Sequence, residues 1–187
     1  MRVVLPTLTM FGALTSPQAL AIIEGNSAIG YRTTKITCCD KSPTDKTTAT
    51  GFEAQLGGFV DPFPILPMAV GGTIYYHRTR DQEDIVSSSG WGIDVEAKIW
   101  YPIPRVPFTL FAKGGYSLIG GNSVSRDENT DQYSPNGLVV SGGIRLDILF
   151  RGAVFVQGTY RQTELKGKKE TFQDTSATFL GGVQVGF

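Results

Sequence analysis

The stretch Trp91-Gly92-Ile93-Asp94-Val95-Glu96-Ala97-Lys98-Ile99-Trp100-Tyr101 alternates residue by residue. Trp91, Ile93, Val95, Ala97, Ile99 and Tyr101 fall on one face, and Gly92, Asp94, Glu96, Lys98 and Trp100 on the other. Successive side chains of a strand point to opposite sides, so an unbroken period of two over this length reads as a β-strand with two unlike faces.

The same split recurs in both directions along the chain. Upstream, Phe52, Ala54, Leu56, Gly58 and Val60 oppose Glu53, Gln55, Gly57 and Phe59, and Met68, Val70, Gly72, Ile74 and Tyr76 oppose Ala69, Gly71, Thr73, Tyr75 and His77. A weaker first strand lies near Ser27 to Ile36, with Ile29 and Tyr31 against Arg32 and Thr34. Downstream, further apolar faces start at Phe108, Leu138, Val154 and Phe179, which brings the expected strands to eight. Polar loops over 37–50, 80–89, 120–136 and 165–174 alternate with short turns at 61–67, 102–107 and 149–152. Long loops at one end and short turns at the other predict an all-β, eight-stranded antiparallel up-and-down barrel, a plan that removes exposed sheet edges.

Composition narrows the class. The 187 residues carry 17 Lys+Arg and 17 Asp+Glu, only 18% are charged, and 23 are glycine. A chain of zero net charge without a basic run has no electrostatic footprint for nucleic acid, so no nucleic-acid partner is expected. At the start, Met1-Arg2, the mostly apolar Val3 to Leu14 and the small-x-small motif Ala19-Leu20-Ala21 read as a secretory signal peptide over 1–21, leaving a domain over 22–187. A buried helix is the alternative there, and Pro6 and Pro17 suit it poorly. After that segment the sequence has no apolar run of the ~18 residues that a membrane helix needs, whereas tilted strands of ~9–11 residues cross a bilayer.

Two kinds of eight-stranded barrel fit this pattern: the soluble lipocalin type, polar outside, and the transmembrane β-barrel, which inverts it. The polar face carries Arg32, Glu53, Asp94, Glu96, Lys98, Lys113, Arg145, Asp147 and Arg161. The apolar face carries aromatics near its ends: Phe52, Tyr76, Trp91, Tyr116, Tyr160 and Phe179 towards the loops, and Tyr101, Phe108 and Phe187 towards the turns. Two aromatic girdles around an aliphatic band match two membrane–water interfaces, which favours the membrane barrel and turns the charges inward. Four acids and five bases can then pair in an interior only wide enough for side chains, giving a plugged, charge-paired lumen, with a conducting pore as the alternative. Glycine pairs inside strands, at 57–58, 71–72, 114–115, 142–143 and 181–182, either make room for long inward side chains or serve as small lipid-facing fillers.

Phe179, Val183, Val185 and Phe187 share one face at the end of the chain. This resembles the C-terminal strand of bacterial outer-membrane barrels, whose terminal aromatic is read by the barrel-assembly machinery. With the leader, the eight segments and the loop asymmetry, residues 25 to 187 resemble the small OmpA/OmpX-type barrel family. The resemblance implies a Gram-negative outer membrane, with outer-membrane lipid and lipopolysaccharide as surroundings, surface-exposed loops, an unknown surface ligand and a monomeric state.

The remaining polar features suggest little chemistry. His77, the one histidine, could act as a base for Ser117 or Ser141. Membrane-barrel enzymes acting on lipid place such groups on the outer wall or rim, however, and strand parity turns His77 inward, so no catalytic residue is assigned. Cys38-Cys39 could form a vicinal disulfide, link two chains or stay free. The acidic run Asp127-Glu128-Asn129-Thr130-Asp131 lacks EF-hand ligand spacing and reads as a solvated loop. No metal or cofactor is expected. The expected role is non-enzymatic, structural or in surface interaction, with a transport barrel for small or hydrophobic solutes as the alternative and a lipid-modifying enzyme behind it.

Overall fold

A computed structural model describes residues 23–38, 46–62, 66–81, 86–126, 129–149, 151–166 and 171–187. The expected signal peptide, 1–21, lies outside them. The described strands are β1 (Ile23–Cys38), β2 (Lys46–Val60), β3 (Met68–Arg80), β4 (Val86–Pro102), β5 (Phe108–Arg126), β6 (Asn129–Leu149), β7 (Gly152–Lys166) and β8 (Thr171–Gly186). Each pairs antiparallel with the next, and β1 closes on β8 to complete an eight-stranded barrel. Beyond the last paired strand, Phe187 N donates to Ile23 O at 2.8 Å, which fastens the seam at the turn end.

The period-two reading becomes an inside and an outside. Along β7 every second residue from Ala153 to Leu165 is buried, and the residues between are exposed. Ile29, Leu56, Ile74, Val95, Val140 and Val156 all point outward, while Arg32, Glu53, Asp94, Lys98, Lys113 and Arg161 are buried. This distribution inverts that of a soluble protein and suits a bilayer as solvent.

Strand lengths depart from the expectation. The segment 120–136, read as the longest loop, is mostly strand: β5 continues to Arg126 and β6 begins at Asn129. Its Gly, Asn and Ser content resembles a loop, but Val124 and Tyr133 turn inward and pack with Ile36, Val86 and Leu165. The other expected loops shrink for the same reason, since β1 reaches Cys38 while β2, β4 and β8 start at Lys46, Val86 and Thr171. The hairpin ladders thus carry on past the ~9–11 residues a bilayer requires; β6 alone has 21.

The lumen is layered, and β1 samples every layer. Its inward residues Glu24, Ala28, Arg32 and Ile36 stand in turn at a lower polar level, a lower apolar level, an upper polar level and an upper apolar level. The lower apolar layer gathers Ala28, Phe111, Phe155 and Leu180 with Trp100 against it. The upper one gathers Ile36, Val86, Val124, Tyr133 and Leu165, with Phe172 packed alongside.

Four inward glycines have an aromatic partner across the ladder. Phe59 pairs with Gly71, Tyr75 with Gly92, Phe111 with Gly143 and Phe155 with Gly182. At Gly182 an added Cβ would lie 2.6 Å from Phe155 Cζ and 2.3 Å from Ser27 O. The missing side chain is the space in which the neighbouring ring lies. Of the five expected glycine pairs, the inward Gly71, Gly143 and Gly182 make that room for rings, whereas Gly57 lies against Asn26 and Thr73 and Gly115 against Glu96 and the β4 backbone; the outward members face the outer side of the wall.

Two ladder irregularities sit in one sector of the wall. The β4–β5 register shifts between Ile93 and Asp94. The β5–β6 pairing lapses between Ser117↔Gly137 and Asn122↔Tyr133. Pro135 stands in the interrupted stretch, and a proline has no N–H to give to a ladder.

Candidate functional site

The upper polar layer is an ion-pair chain that spans the lumen. Arg161 on β7 reaches Glu53 on β2 at 2.6 Å and Asp94 on β4 at 2.9 Å. Arg32 on β1 reaches the same Glu53 at 2.8 Å and Asp174 on β8 at 2.9 Å. Neutral groups fill the remaining acceptor positions: Gln55 donates to Glu53 at 2.7 Å, Thr178 donates to it at 3.0 Å, Ser117 donates to Asp94 and Thr34 donates to Asp174. The Arg161 guanidinium also lies 4.1 Å from the centre of the Tyr75 ring, a cation–π contact. A buried charge is tolerated when it is paired and its other lone pairs and protons are bonded, as they are at Glu53.

The lower polar layer forms a second set. Lys98 bonds Glu24, Arg145 Nη1 lies 4.0 Å from Glu24, and Arg145 Nε is 2.9 Å from Asp147. Lys113 sits 3.6 Å from Glu96. Lys98 and Lys113 are direct cross-strand partners, a like-charge pair that would repel. Each has its own carboxylate, and both ammonium groups stand 5.6 Å from the Phe59 ring centre.

All nine charged residues read from the sequence therefore line the lumen, distributed between two levels. Two carboxylates were missed. Glu24 and Asp174 bring the inward acids of the described residues to six against five bases, and each carries a pairing that Arg32, Lys98 or Arg145 needs. Parity could have found both, because Glu24 lies an even number of residues before Arg32 and Asp174 an even number before Thr178. The upper apolar layer was missed as well, since its residues fall in the stretches read as loops or at their edges.

The proposed histidine pairings do not form. His77 is fully buried, and its Nε2 is 3.4 Å from Ser88 Oγ. Ser117 is taken by Asp94, and Ser141 lies 3.0 Å from Thr159. The three residues share the lumen face, but cross-strand neighbours capture the hydroxyls. Among the described residues no cluster of three His, Cys, Asp or Glu side chains could hold a metal ion. The backbone of Cys38 pairs opposite Phe172; Cys39, Asp127 and Glu128 lie outside the described residues.

The aromatic residues occupy the outer wall. Phe52, Tyr76, Trp91, Tyr101, Phe108, Tyr116, Tyr160, Phe179 and Phe187 are all exposed there. Tyr31 joins them, opposite both Phe52 and Phe179 in the ladders. The Phe52 and Tyr76 ring centres are 6.0 Å apart, and Tyr76 pairs with Trp91 on the next strand. Val183 and Val185 lie on the same outer face of β8 as Phe179.

Comparison with known proteins agrees with this geometry. A family model described as an outer membrane protein beta-barrel domain matches residues 7–187. Neisserial surface protein A has a similar solved structure, with a TM-score of 0.65 at 14% identity, covering 88% of this chain and 97% of that one. Ail, the attachment invasion locus protein of Yersinia pestis, gives 0.46 at 14% identity over 86% of this chain and 97% of its own. The outer membrane protease OmpT from Escherichia coli gives 0.45 at 9% identity over 88% and 96%. No curated protein matches the chain by sequence.

Proposed function

The chain belongs to the outer membrane protein beta-barrel domain family, of the Gram-negative envelope, and from that premise we propose that it is a sealed, non-enzymatic barrel whose loop end is surface-exposed and serves envelope structure or surface interaction. The observation that carries this reading is the upper ion-pair chain, in which Arg32 and Arg161 tie carboxylates from β2, β4 and β8 across the lumen. An ion or solute passing through would have to separate charges that are buried and mutually satisfied, at a cost of several kcal/mol for each uncompensated charge. Apolar layers stand at two levels of the same lumen. A transport barrel for apolar solutes would need an apolar path, and the charged belt interrupts it.

Planar-bilayer recording of the full barrel tests the sealed lumen. The expected result is no steady conductance, and a stable ohmic conductance would overturn the reading. The enzyme alternative has its own test in His77→Ala, which is expected to leave the phospholipid and lipid A composition of expressing cells unchanged.

A further inference from the structure

The outer wall of β4, β5 and β6 contains a recess of about 700 Å³ at the place where the ladder lapses. Its lining includes the outward-facing Tyr76 and Trp91 and the exposed rim residues Gln132, Ser134 and Lys166. Gly120 and Gly121 leave its floor without side chains.

We propose that this recess binds a sugar unit of an outer-leaflet glycolipid. The lining combines two aromatic side chains with the Gln132 amide and serine hydroxyls, which is the chemistry of a pyranose: apolar C–H faces for the rings and hydroxyls for the polar groups. Its size lies in the ~300–1,000 Å³ range of small-molecule sites. An acyl chain would leave the polar groups unbonded. Among the described lining residues a bare phosphate would find one cation, Lys166, with Glu164 only 3.7 Å away. Position selects the source: Tyr76 and Trp91 belong to the loop-end aromatic girdle, the level of the membrane interface, so the recess opens sideways where glycolipid headgroups lie. The proposal rests on the outer-membrane reading but is independent of whether the lumen is sealed.

The protein has two tryptophans, so Trp100→Phe leaves Trp91 as the only one. In this background the full barrel is refolded into phosphatidylethanolamine vesicles with and without lipopolysaccharide, and Trp91 emission and its quenching by acrylamide are read. With lipopolysaccharide, emission is expected to shift to the blue and quenching to fall. Gly121→Leu, which grows a side chain towards Trp91 Nε1, should abolish the difference. Gln132→Ala with Ser134→Ala, confined to exposed side chains, should reduce it and serves as the second variant if Gly121→Leu does not fold. Equal quenching with and without lipopolysaccharide in the Trp100→Phe barrel overturns the proposal. So does an undiminished difference in the folded variants, or equal protection from the free oligosaccharide released from the same lipopolysaccharide. Conductance of the same preparations reads the lumen separately, so the two conclusions fail independently.

Discussion

Arg161 Nη1 and Glu53 Oε1 lie 2.6 Å apart across the lumen, joining β7 to β2, strands that are not neighbours in the sheet. Glu53 is shared with Arg32, so one carboxylate holds two guanidiniums from opposite sides of the seam between β1 and β8. Removing it leaves Arg32 with Asp174 and Arg161 with Asp94, each guanidinium short of one carboxylate. Glu53→Ala is expected to cost about 3–5 kcal/mol, the usual loss when one partner of a buried ion pair is deleted. The urea midpoint of barrels folded in lipid vesicles measures it. A Glu53→Leu, Arg161→Met double variant should lose less than Glu53→Ala, because it removes one charge of each sign and fills the space with apolar groups.

Asp174 and Asp147 should rank in the opposite order to their legibility. Asp147 was readable from strand parity but is only partly buried beside Arg145, whereas Asp174 is buried between Arg32 and Thr34. Asp174→Ala is therefore expected to lower the urea midpoint more than Asp147→Ala. The reverse order would contradict the upper ion-pair chain as the main polar anchor.

Gly182 and Phe155 should behave as one unit. Gly182→Val places atoms where the Phe155 ring lies, and overpacking of this kind costs about 1–3 kcal/mol. In a Phe155→Ala background the ring contact is gone while the one to Ser27 O remains, so the valine's cost should shrink without vanishing, and a double-mutant cycle on unfolding free energy reads the coupling. Additive effects would show that the glycine does not hold space for the ring.

The outer wall should punish charge by depth. Val95 stands on β4 midway between the girdle residues Trp91 and Tyr101, and is 51% exposed. Val95→Lys is expected to destabilise the vesicle-folded barrel by about 2–4 kcal/mol, and Ser89→Lys, beyond Trp91 towards the loops, by about 0–1. Equal costs at the two positions would be inconsistent with a bilayer edge at the Tyr76–Trp91 level.

Much of the barrel was legible because a strand's side-chain period is fixed at two, so one reliable run such as 91–101 sets which residues face in and which face out. Parity placed all nine inward charges and the nine girdle aromatics on their faces. It failed at strand ends, where small polar residues such as Gly120, Asn122 and Ser123 carry no alternating hydropathy, although their backbones continue the ladder. The same failure hid the apolar layer around Tyr133 and Leu165, and Asp174 was hidden because it falls in the stretch 165–174 read as a loop, although parity continued from Thr178 reaches it.

The sequence by itself determined the strand count, the antiparallel order, the two faces and the near-balance of inward charge, because these follow from local alternation and connection length. Only the tertiary structure decided which charge meets which. Parity says that Arg161, Glu53, Asp94, Lys98 and Lys113 share the lumen, but their heights depend on the register between strands and on closure of β1 against β8. That register divides the charges into two levels, sets each ring of Phe59, Tyr75, Phe111 and Phe155 opposite a glycine, and opens the wall beside Pro135. None of these relationships is local in the chain, and it is barrel closure that makes them contacts.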